Sequence, residues 1–212
     1  MKKIDHPIFT QSIRYIRSKI ECKGLDNLEK EVLERIIHST GDFSIQDYLR
    51  FSPSACSIGI SALKAGAPIL TDTFMASAAV TPMANRTLGT SVHCVLDWSV
   101  VNDKSNLTRT AIGIERAWHE FSSRSLENKP PIVLFGSAPK AMEALLEMVS
   151  KGFLAPSLII GMPVGFVSVL ESKNLLAKSD VPQIRIDGNR GGAAVASATV
   201  NALLRASYLE IK

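Results

Sequence analysis

Five short apolar runs, each followed by a helical stretch, constrain this chain more than any other feature. Ala67-Pro68-Ile69-Leu70-Thr71, Val92-His93-Cys94-Val95-Leu96, Pro131-Ile132-Val133-Leu134-Phe135, Ser157-Leu158-Ile159-Ile160 and Gln183-Ile184-Arg185-Ile186 have the length and bounding turns of buried strands. Helical patterning is expected near 74–84, 108–121, 138–151, 165–177 and 191–206. Continuous apolar strands alternating with helices bury both faces in a parallel sheet covered on each side. The expected fold class is therefore α/β, a three-layer doubly wound, mostly parallel five-stranded sheet. Extra N-terminal helices precede it. Phe9, Ile13, Ile16 and Ile20 mark one stripe, and apolar positions 25, 28, 32, 33, 36 and 37 mark a second that Gly41 stops. A third, of small residues, follows Phe51-Ser52-Pro53 and runs to Leu63. No linker or repeat divides the chain, so residues 1–212 read as one domain.

Composition narrows the function classes. The net charge of +4 is not gathered into a lysine tract or interleaved with aromatics, which argues against nucleic acid and leaves small polyanions open. No apolar run reaches membrane-span length and no apolar stretch follows Met1-Lys2-Lys3, so no membrane partner and a cytoplasmic protein are expected. Cys22, Cys56 and Cys94 are odd in number and widely spaced; they are read as buried free thiols, without metal or disulfide. The glycine patterns of dinucleotide and P-loop sites are missing, as is a G-x-S-x-G nucleophile elbow.

His38 is the one acid–base candidate with a distinctive setting. At about 100° per residue it lies opposite the apolar stripe of its helix, near Lys30, Glu31 and Glu34. It falls in the last turn, where unpaired carbonyls favour a protonated imidazole. That suits a general acid, and equally a solvated histidine that complements a helix end. His93 reads as a hydrogen-bonded core residue and His119 as surface. Around the strand ends, Thr71-Asp72, Asp97-Trp98, Gly136-Ser137-Ala138-Pro139, the turn at 161–165 and the turn at 187–192 open into helices, a possible rim of anion sites. Ordinary turn chemistry explains any one of them as well. Arg14, Arg17, Arg109 and Arg190 are candidate carboxylate clamps; Arg109, at a helix start, opposes the helix dipole and so points more to a ligand.

Several segments together resemble the precorrin-8X methylmutases, including the cobalt-precorrin-8 methylmutases. They are IIHSTGDF around His38, ALKAGAPILTDTFM at 62–75, LTRTA at 107–111, FGSAPKAMEALLEMV at 135–149, GMPVGFVSVLESK at 161–173 and GNRGGAAVASATVNALL at 188–204. The resemblance implies a cofactor-independent, homodimeric isomerase of cobalamin biosynthesis. It moves a methyl group from C-11 to C-12 of a polycarboxylate tetrapyrrole, metal-free or cobalt-bearing, by a [1,5]-sigmatropic shift. The histidine matching His38 is the acid, and the arginine matching Arg109 binds substrate. Ser12, Arg17, Thr40 and Thr81 match positions that shape the pocket. Ser137, Lys140 and Ala193 depart from the family pattern, and they motivate the alternative of a non-catalytic corrinoid carrier.

Overall fold

The computed structural model describes residues 4–21, 24–99, 106–123 and 129–210; Cys22 and the Met1-Lys2-Lys3 start lie outside them. Three helices lead in: α1 (Pro7–Arg17), α2 (Asn27–Thr40) and, after the short strand β1 (Leu49–Phe51), α3 (Ala55–Lys64). Strands and helices then alternate as β2 (Ile69–Thr71), α4 (Phe74–Arg86), β3 (Val92–Cys94), α5 (Arg109–Ser123), β4 (Ile132–Phe135), α6 (Pro139–Ser150), β5 (Leu158–Gly161), α7 (Val169–Lys178), β6 (Gln183–Ile186) and α8 (Ala193–Glu210). The sheet order is β1-β6-β5-β4-β2-β3, parallel throughout except that β1 runs antiparallel to β6.

Each strand splits its side chains between two cores, as the period of two requires. On β4, Ile132 and Leu134 join the core under α1, α2, α3, α4 and α8, whereas Val133 and Phe135 join the core under α5, α6 and α7. Ile160 on β5 and Ile69 on β2 follow the first set, Ile159 and Leu70 the second. The α/β class and the three layers are those read from the chain. The sheet has six strands rather than five. The extra one, Leu49-Arg50-Phe51, is too short for alternation to register, and it pairs at the edge of β6. Helix α7 starts at Val169, later than expected, because Gly165 (φ +137°) and Ser168 (φ +60°) hold the preceding loop out of helical geometry. His93 also departs from expectation. β3 is an edge strand, so the imidazole is half-buried among Trp98 and Phe121 rather than in the core.

α8 is the axis of the first layer. Nearly every residue from Val195 to Leu204 is buried, and small side chains let α2, α3 and α4 all pack against it. Its start is pinned by close backbone approaches. A Cβ on Gly191 would stand 2.1 Å from the Met162 carbonyl oxygen, and one on Gly136 would stand 2.5 Å from the Ala193 Cα. Gly192 N–H donates to Met162 O at 2.8 Å. No helix among the described residues is long and apolar enough to cross a membrane.

Candidate functional site

The strand order reverses between β2 and β4, and the crevice beyond such a switch point is the usual ligand position in open α/β sheets. Here that position is filled from within. The Asp72 carboxylate, fully buried at the end of β2, accepts N–H bonds from Gly136 (2.9 Å), Ser137 (2.6 Å) and Ala138 (2.9 Å) at the start of α6. Burial pushes its pKa up while the three donors oppose that shift. The turn expected to belong to a rim of anion sites therefore already holds an anion, the chain's own. The family-pattern departures there are absorbed locally. The Ser137 N–H serves Asp72, Lys140 pairs with Glu143 at 2.7 Å, and Ala193 is buried.

The other acid–base group stands on the helix side of the sheet. α2 begins with a reciprocal cap between Asp26 and Glu29, and Val32, Leu33, Ile36 and Ile37 bury its inner face. Its outer face carries His38 to the rim of a groove of about 300 Å³, lined by Arg35, Ser39, Ala79, Ala194, Ser197, Ala198 and Asn201. Ser12 of α1 shares a 2.8 Å hydrogen bond with His38 Nδ1, and the Phe9 ring stands edge-on to the imidazole at 5.1 Å between centroids. With Nδ1 engaged, the proton that His38 can offer a ligand sits on Nε2. The Ser12 hydroxyl can donate to the neutral ring or accept from the imidazolium, so it serves both protonation states.

The electrostatics correct one expectation. The His38 pKa is lowered, first by burial and then by the neighbouring Arg35 charge. The helix end gives little help because its carbonyls are taken: Thr40 Oγ1 donates to Ile36 O at 3.0 Å and Gly41 N–H to Ile37 O at 2.8 Å. Glu34 also differs from a solvated face. It is buried and receives both Arg17 Nε (2.6 Å) and Nη2 (2.9 Å).

Of the residues singled out from the chain, His38 and Ser12 are thus in contact. Arg17 lies on α1, five residues beyond Ser12, engaged by Glu34. Thr40 is a helix-end residue whose hydroxyl also accepts the Asp42 N–H at 3.2 Å. Thr81 lies on α4, two residues beyond the groove-lining Ala79, with its hydroxyl donating to Ser77 O at 2.8 Å ahead of Pro82. Arg109 opens α5 on the opposite face of the sheet, exposed, with Nη2 3.4 Å from Ser99 Oγ. Arg190 is engaged by Asp42 at 2.9 Å and lies over the Tyr48 ring. Substituting Arg17 with alanine should lower stability by about 1–2 kcal/mol, since Glu34 loses its partner while half of Arg17 is in water. Urea unfolding checks this.

Two groove residues had no sequence signal of their own. Arg35 is half-buried, its guanidinium carbon 4.9 Å from the Phe9 ring centroid, and no hydrogen bond or ion pair reaches it among the described residues. Nearby Asp5 is claimed by Arg205 through contacts at 2.9 and 2.6 Å. A desolvated guanidinium that no carboxylate contacts, with the Asp5 charge acting on it only from a distance, is an anion receptor in waiting. Asn201 donates Nδ2–H to Ala79 O at 3.1 Å and leaves a buried Oδ1 unpaired in the same wall. Both lie on well-formed helices, where i, i+3 adjacency to His38 was the only available hint for Arg35.

Comparison with known proteins gives a consistent result. The family model described as CbiC, precorrin-8X methylmutase, matches residues 7–206. A precorrin-8X methylmutase of Pseudomonas aeruginosa is 39% identical over 92% of this chain and 93% of its own length. A cobalt-precorrin-8 methylmutase of Synechocystis sp. is 33% identical over 99% of this chain and all of its own. The crystal structure of precorrin-8X methyl mutase from Thermus thermophilus superposes with a TM-score of 0.86 at 35% identity, covering 96% of both chains.

Proposed function

Because the chain belongs to the precorrin-8X methylmutase family, we propose that His38 protonates one edge of a corrinoid ring seated in its groove while a methyl group migrates. Family members are isomerases of cobalamin biosynthesis, and this chain is an enzyme that shifts a methyl group on a tetrapyrrole. In our proposal the bond to C-11 breaks as the bond to C-12 forms. The proton that His38 lends returns to its Nε2 as the shift completes, so the ring's atoms and electrons balance without an external oxidant, reductant or methyl donor. Catalysis then consists of holding the ring and stabilising charge as the shift proceeds.

The observation that carries this reading is the pairing of His38, held by Ser12, with the unclaimed Arg35. The groove is too small to enclose a macrocycle, so it receives an edge. A peripheral carboxylate on Arg35 would bring a ring nitrogen within reach of Nε2. It would also cancel the Arg35 charge that depresses His38, making the imidazole easier to protonate once substrate arrives. Arg109 would take a carboxylate from the other side of the rim. Arg17, Thr40 and Thr81 support the walls through the contacts described above. The cytoplasm and a homodimer complete the proposal, and sedimentation at twice the chain mass is the expected result.

Purified protein is expected to convert precorrin-8X or cobalt-precorrin-8, with the corrin absorbance as readout. A folded protein that turns over neither refutes the reading. Tight corrinoid binding without turnover would instead favour a carrier, which the family's enzymatic character disfavours. Replacing Arg35 with methionine should raise KM about tenfold or more with a small effect on stability, since a carboxylate partner is lost.

A further inference from the structure

The GMPVGFVSVLESK segment ends in a lysine that the reaction itself does not call for. Lys173 is 3% exposed, on α7. Its Nζ donates to Gly188 O and Arg190 O, each at 2.6 Å. Those carbonyls belong to the loop between β6 and α8, a stretch in which Gly188, Gly191 and Gly192 all adopt positive φ. A glycine-rich loop of this kind has little conformational preference of its own. What fixes it is the ammonium on one side and the Met162 carbonyl on the other.

The loop is tied to the ends of two helices, α2 and α8, that wall the His38 groove. Arg190 reaches back to Asp42 and Ser44, immediately after the end of the His38 helix, and lies 4.9 Å from the Tyr48 ring centroid. Gly192 leads into α8, whose Ala194, Ser197, Ala198 and Asn201 form the facing wall. We propose that Lys173 is a positioning residue for the methyl shift, a buried ammonium that clamps the 188–192 loop and so sets α8 and the end of α2 at the spacing the ring requires. The inference rests on the His38 groove being the site of reaction.

Burial lowers the Lys173 pKa to about 8, opposed by the Asp187 carboxylate. Asp187 is itself shared with Arg50 and Arg185. On the neighbouring α6, Lys140 pairs with Glu143 and Glu147 with Lys151. Loss of the proton leaves neutral hydrogen bonds, roughly half as strong as the charged ones. Unfolding is not the consequence. The folded pKa lies below the ordinary 10.5, so between about 8 and 10.5 the unfolded chain holds the proton that the folded chain releases. This group's contribution to stability therefore rises with pH across that window.

The test is Lys173→Met, close in length but without a donor. Hydrogen exchange at fixed pH should speed up about tenfold in the segments 187–194 and 38–44 while β4 stays protected. kcat should fall about 100-fold with KM little changed. Unchanged exchange overturns the proposal, and so does faster exchange with unaltered kcat, because the clamp would then serve only the fold. If the variant does not fold, the unmodified protein decides. Protection factors of the Gly192 N–H and of the Gly165 N–H, which donates to Asn189 O, corrected for base-catalysed intrinsic exchange, should rise between pH about 8 and 10.5, because opening the clamp returns Lys173 to water and to its ordinary pKa. Flat protection factors refute the clamp. A His38→Ala protein that retains full turnover would remove the acid without touching the exchange result, so the two failures are distinguishable.

Discussion

Replacing His38 with alanine should cut kcat by about 10²–10⁴-fold and leave the fold intact. The side chain is exposed at a helix end, so its removal leaves no cavity; the Ser12 hydroxyl loses one partner and gains water. Binding of a corrinoid should survive, because the carboxylate contacts proposed for Arg35 and Arg109 do not involve His38. Retained turnover would dismiss His38 as the donor. The pH dependence has a definite sign. With the free-protein pKa held below 6.5 by burial and by Arg35, the donor form grows as pH falls from neutrality, and kcat/KM, which reports the free enzyme, should rise with it. Proton NMR of the imidazole should show a depressed pKa in the free protein and a higher one with product bound, as a ligand carboxylate offsets Arg35. The depressed value also makes His38 an acid liability. The unfolded chain takes up the proton first, so this residue's contribution to stability falls as pH drops below 6.5.

The largest effect on stability is expected at Asp72. Changing it to alanine removes three charge-assisted hydrogen bonds to one carboxylate oxygen and leaves the N–H groups of Gly136, Ser137 and Ala138 facing a buried gap. A penalty of about 3–5 kcal/mol is expected, which for a chain of this size is a Tm loss of roughly 10 °C. Calorimetry measures it. Acetate or formate in millimolar amounts should restore part of the loss in the variant and none in the parent. A variant as stable as the parent would mean that the cradle of donors is satisfied in some other way. Asp72→Asn is the sharper comparison, since its amide keeps the volume but offers one acceptor and an unwanted donor.

Much of this architecture was legible in the residues. Strands of four to five apolar residues between amphipathic helices left only a parallel sheet with two covered faces, and Gly41 marked the end of the His38 helix as glycine at a left-handed stop does. His38 and Ser12 were both named, though their contact across 26 residues of chain was not readable from spacing. Other features belong to tertiary structure. Asp72 resembled a ligand-facing strand end, and only the approach of β4 turned it inward. The helix end alone points to a protonated His38, whereas burial and Arg35 push its pKa down. Arg35 itself has no periodic or motif signature. Its meaning arises because Arg205 takes Asp5 and Arg17 takes Glu34, leaving Arg35 without a carboxylate contact among the described residues.

The carboxylate lodged at the switch point also bears on life among small metabolites. A vacant crown of N–H donors above a parallel sheet would attract inorganic phosphate, nucleotides and sugar phosphates, metabolites far commoner than a pathway intermediate. By carrying its own tenant there, the protein closes that berth to all of them. In the proposed site, affinity for anions is left to guanidinium groups at the groove, where the shape of a large ring rather than a phosphate's charge would decide who docks.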